Sequence, residues 1–127
     1  MAKVSFASIV GVVAALTLAP QAVASTVTVT GGNTVRVLES GSEVNRVAVT
    51  YDAGMDLYDI VDSAANLTPN GTCTAVNAHT ATCPGAGIKT ISVDTDAQND
   101  SITMDLNTIP STVMGSLDGG PGDDSVS

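Results

Sequence analysis

Residues 25 to 127 predict an all-β fold of short strands, and three observations carry that expectation. No segment from residue 25 onward shows a helical apolar period of useful length, whereas several runs alternate apolar and polar residues as half-buried strands do. Eleven of the 13 acids are Asp and only two are Glu. Asp competes with a helical backbone through its short side chain and belongs in turns. The chain has no Trp, two Tyr, and one Phe at position 6. A core without aromatics is thin and built from Val, Ile and Leu, which suits a sandwich- or solenoid-like stack of short strands.

Residues 1–24 read as a signal peptide. Lys3 is the only early charge, Val4 to Leu18 is apolar, and Pro20 precedes the small residues Ala22-Val23-Ala24. The apolar run falls short of the roughly 20 residues that span a bilayer, and no basic stop-transfer cluster follows. A cleaved, exported chain beginning near Ser25 is therefore expected, secreted or at the cell surface and without a membrane span.

The strands follow in order. Thr26 to Thr30 alternates, Gly31-Gly32-Asn33 supplies turn chemistry, and Thr34 to Leu38 alternates again, which predicts a hairpin. Glu39 to Asn45 reads as a polar loop. Arg46 to Tyr51 is a third strand with Val47 and Val49 on one face, and Asp52-Ala53-Gly54 turns the chain. Leu57 to Val61 fits a strand or a helical face, and its strand neighbours favour the strand. Asp52, Asp56, Asp59 and Asp62 lack the order of an EF-hand loop and read as a solvated acidic edge. Asn66 to Thr72 reads as loop, Cys73 to Cys83 as a tight excursion, and Pro84 to Gly87 as a turn. Strands are expected at Lys89–Val93, Ser101–Leu106 and Thr112–Met114.

Charge and cysteines narrow the function. All 13 acids follow the signal, against Arg36, Arg46 and Lys89, and the formal net charge is -9. Such a chain is a poor partner for nucleic acid or an anionic membrane, and Asp is a hard-oxygen ligand suited to Ca²⁺. Export makes a disulfide the default state of Cys73 and Cys83. A zinc site built from this pair and His79 falls short of the usual ligand number, and His79 reads as an exposed loop residue.

The chain closes with Gly119-Gly120-Pro121-Gly122-Asp123-Asp124-Ser125-Val126-Ser127. This fits the nonapeptide G-G-x-G-x-D-x-U-x at every fixed position, with Val126 as the apolar residue U. Glycines allow the positive φ values and close backbone approach of a tight turn, while the sixth position supplies a carboxylate. Candidate ligands are the backbone around Gly119, Gly120 and Gly122, with Asp123 and Asp124. Leu117 lies nine residues before Val126, as the strand part of a preceding unit would. Asn99-Asp100-Ser101-Ile102-Thr103 parallels the last five residues. It lacks the glycines, so it reads as an ordinary β-turn, with Asp100 a weak further candidate.

These features resemble the N-terminal part of exported bacterial haemolysin-type (RTX) calcium-binding repeat proteins. A β-rich leader, here 25–114, carries a Cys pair in settings like Asn70-Gly71-Thr72-Cys73 and Cys83-Pro84-Gly85-Ala86-Gly87, and runs into repeats, here 115–127. The resemblance implies the start of a parallel β-roll in which Ca²⁺ sits between stacked turns and neutralises crowded Asp residues. Such proteins carry many repeats in tandem, so further units are expected after Ser127. With one unit, the turn at 119–124 is expected to lack a partner turn and to bind calcium weakly or not at all. The N-terminal signal departs from the C-terminal secretion signal of RTX toxins and puts a toxin role in doubt.

The leading functional expectation is therefore a non-enzymatic, calcium-binding, exported protein. The alternatives are a cell-surface adhesin or envelope-structural protein, with self-association through downstream repeats, and the leader of a larger secreted hydrolase. The chain has no Gly-x-Ser-x-Gly elbow, no His-Glu-x-x-His and a single His.

Overall fold

The computed structural model describes residues 24–127, so the expected signal peptide lies outside the described residues save for Ala24. The described chain is all-β, with eleven strands in two mixed sheets and no helix among the described residues. No helix there is long and apolar enough to cross a membrane.

The local signals produce the first elements. Strands β1 (Ser25–Thr30) and β2 (Thr34–Leu38) pair antiparallel around Gly31 and Gly32, both at positive φ. Strands β3 (Arg46–Asp52) and β4 (Leu57–Asp62) form a second antiparallel pair. Leu57–Val61 is thus strand, because Tyr58 and Ile60 alternate inward against Ala81 and Cys83 of β7 (Thr80–Pro84). β6 (Thr74–Asn77) and β7 form a bulged hairpin, and Cys73 is bonded to Cys83 beneath it. His79 sits exposed in that hairpin, with Nδ1 against the Asp62 and Ala65 carbonyls and away from the cysteine pair.

The later strands pair by register over long separations. β8 (Thr90–Asp94) lies parallel to β2, and β10 (Met114–Asp118) lies parallel to β8. In the opposite sheet, β9 (Ser101–Met104) lies parallel to β3, and β11 (Ser125–Val126) lies parallel to β9. Val37, Val93 and Leu117 therefore stack in one sheet, and Val47, Ile102 and Val126 in the other. The inward residues of both sheets form one aliphatic core, in which Val27, Val35, Val49, Ile60 and Ile91 are fully buried. Burying each such side chain contributes about 1.5–3 kcal/mol.

Four expectations are corrected. Residues 66–72 are not wholly loop: Leu67–Pro69 forms β5, parallel to β1 at a sheet edge, where proline's missing donor costs no ladder bond. The strand expected at Thr112–Met114 begins at Met114 and runs to Asp118, because β8 templates it despite Gly115 and Ser116. The strand beginning at Ser101 stops at Met104. Asp105 turns the chain there by accepting the Asn107 amide on its carboxylate and the Thr108 and Ile109 amides on its carbonyl. Asp62 is not solvated. It is fully buried, and its Oδ1 accepts the amides of Arg46, Ala64 and Ala65.

Candidate functional site

Three connections run from the sheet of β1 and β2 to the sheet of β3 and β4 at the same end of the molecule. They are residues 39–45 between β2 and β3, 95–100 between β8 and β9, and 119–124 between β10 and β11. Thr90 pairs with Met114 and Ser101 with Ser125, so the second and third units stand 24 residues apart in both sheets. The parallel seen between Asn99–Thr103 and Asp123–Ser127 thus extends back through the turn to Asp94 and Asp118. These two Asp residues do the same work. Asp94 Oδ1 accepts the Asp96 amide and Asp118 Oδ1 accepts the Gly120 amide.

The 119–124 turn therefore has a partner turn, contrary to expectation. The two are held together directly. Gln98 donates its amide to the Pro121 carbonyl at 3.2 Å, and Asp123 donates its amide to Asn99 Oδ1 at 3.0 Å. Asp100 donates its amide to Asp124 Oδ1 at 2.9 Å. The missing glycines did not prevent the turn, because Asp96 and Gln98 take positive φ values of 62° and 120° themselves. Non-glycine residues in that region store backbone strain that the surrounding structure must hold.

The glycines of the last turn have distinct jobs. Gly120 has φ 68°, and a Cβ there would strike the Asp96 carbonyl. A Cβ at Gly122 would strike the Gln98 carbonyl, and one at Gly119 would meet the Asp124 carboxylate at 2.6 Å. The two turns thus approach backbone to backbone, with peptide oxygens and one half-buried carboxylate facing the gap. Asp123 is exposed at the rim. This donor chemistry fits a hard cation of the Ca²⁺ type, which takes carboxylate and carbonyl oxygens. Among the described residues, no three His, Cys, Asp or Glu side chains converge as a metal-holding group. Backbone carbonyls must supply most ligands of any ion held between these turns.

The first connection holds residues that the sequence reading left in a polar loop. Asn45 stacks on Asp100 as Asp100 stacks on Asp124: Asn45 donates its amide to Asp100 Oδ1 at 2.8 Å. Asn45 is fully buried, its Oδ1 accepts Ser25 Oγ, and its side-chain amide donates to Glu39. Glu39 is 4% exposed and also accepts the Glu43 amide at 3.1 Å. Burial pushes the Glu39 carboxyl up to about 7, and the Asp100 and Glu43 carboxylates add to the rise. The only legible signal for these burials is position. Glu39 follows a buried strand directly, and Asn45 precedes one.

No protein-family model, no curated protein and no solved structure matches this chain.

Proposed function

We propose that this chain is a non-enzymatic, exported calcium-binding protein of the RTX repeat type, holding Ca²⁺ between the turns 95–100 and 119–124. In this reading the Asp124 carboxylate is the side-chain ligand, and carbonyls around Gly119, Gly120 and Gly122 contribute from the backbone. Asp123 adds charge at the rim. The observation that carries it is the seating of one turn on the other. Asp124 binds the Asp100 amide, while Gly120 and Gly122 leave no room for side chains against Asp96 and Gln98. A carboxylate that accepts one amide keeps further lone pairs for a cation. Parallel stacking of the units, with one aliphatic column per sheet, supports a roll that further repeats would extend.

Calcium-dependent thermal unfolding tests this. Extracellular calcium modules bind at roughly 0.1–1 mM. At 10 mM Ca²⁺ a site with Kd near 1 mM adds about 1.4 kcal/mol, which raises Tm by several degrees, reversibly with chelator. An unchanged Tm in wild type, or an equal rise in Asp124→Asn, contradicts the proposal.

A further inference from the structure

A second gap lies on the other side of the 95–100 turn, between it and the 39–45 connection. Its chemistry differs from that of the glycine-rich gap. The Asp100 carboxylate belongs to it, since Oδ1 binds the Asn45 amide, whereas only the Asp100 main chain faces Asp124. Asp100 is 3% exposed, and its Oδ2 is buried with no hydrogen-bond partner among the described residues. Glu39, also buried, meets the same residue, Asn45, through its side-chain amide. The hydrogen bonds reaching these two carboxylates come from the Glu43 and Asn45 amides and the Asn45 side chain, and none comes from a basic group. Two buried carboxylates at one asparagine, one of them with a free oxygen, are costly without a cation.

We propose that Glu39 and Asp100 form a second divalent-cation site, built around Asn45 and lying outside the glycine-rich nonapeptide. Asp100 Oδ2 and the Glu39 carboxylate are its charged ligands. The Glu43 carbonyl, which accepts the Asn45 side-chain amide at 3.2 Å, is a neutral oxygen on the same loop. Two carboxylates and no glycine motif make this an acidic, enclosed site, in contrast to the carbonyl-rich, half-open gap at Asp124. It shares no carboxylate with that gap, so each can fail without the other.

Amide NMR of the full exported chain during titration with CaCl₂ alone separates the two. In an Asp124→Asn background, saturable shifts are expected at Glu43, Asn45 and Asp100. Adding Glu39→Gln, which keeps the shape and the hydrogen-bond acceptor, should weaken them by about tenfold or more, since affinity follows ligand charge. Asp100→Asn serves as the second variant, and each variant's uncalcified spectrum reports whether the fold is kept. Absence of saturable shifts at these amides in the folded Asp124→Asn protein overturns the proposal. So do shifts that survive unchanged in both folded variants. In the wild-type protein, absence of shifts at Gly119–Asp124 with those at Glu43, Asn45 and Asp100 kept overturns only the glycine-turn site.

Discussion

Asp124 Oδ1 accepts the main-chain amide of Asp100 at 2.9 Å, and Asp100 Oδ1 accepts that of Asn45 at 2.8 Å. The sixth position of each turn thus caps the turn before it. This ladder joins the nonapeptide to the rest of the fold. Replacing Asp124 by Ala leaves the Asp100 amide unpaired and should cost about 1–3 kcal/mol without calcium. Urea unfolding in chelator measures it, and Asp124→Asn, which can still accept a hydrogen bond, should lose less.

Gly120→Ala and Gly122→Ala should separate the last turn from its neighbour, because each new Cβ meets a backbone carbonyl. Gly32→Ala is the control. It shares the positive φ of Gly120 but faces open space, so only the conformational cost of about 1–2 kcal/mol applies. Hydrogen exchange should show lost protection at Ser125 and Ser127 in the first two variants and unchanged protection there in the third.

The folded chain holds the Glu39 carboxyl at about 7, above its ordinary 4.5, because burial penalises the charge. The unfolded chain therefore ionises first as pH rises. The contribution of Glu39 to stability is full below about 4.5 and is lost as pH climbs through 7, in total about 3 kcal/mol. In chelator, the difference in unfolding free energy between wild type and Glu39→Gln should change across that window. A difference that is flat from pH 4.5 to 7.5 contradicts the burial of this group.

Cys83 is fully buried and Cys73 nearly so, joined across a separation of ten residues. Native protein should resist mild reductant. Replacing both by Ser should lower stability by about 2–3 kcal/mol, read as a lower denaturation midpoint.

The strands of residues 26–51 were legible because strict alternation and the Gly31-Gly32-Asn33 turn are local signals. The disulfide was legible from the two cysteines together with the expectation of export. The parallel pairing of β2, β8 and β10 was not, since register between segments about 55 residues apart depends on which aliphatic side chains meet in the core. Only Ser92, Asp94, Asp100 and Ser101 recur as the same residues 24 positions on, too few to reveal the step without the pairing. Glu39, Asn45 and Asp62 were misplaced in solvent because polar residues between strands usually face water. Here they bury carboxylates that accept backbone and side-chain amides at the crossings between sheets. The nonapeptide itself was plain, but its partner turn was disguised, with Asp96 and Gln98 standing where glycines were expected.

Calorimetric titration of Ca²⁺ into residues 25–127 and their Asp124→Asn variant tests the central claim most directly. The account predicts saturable binding in the millimolar range or tighter for the wild type. The Asp124→Asn variant should lose the component assigned to the 119–124 turn. Identical isotherms for the two proteins, or no saturable heat in either, would contradict it.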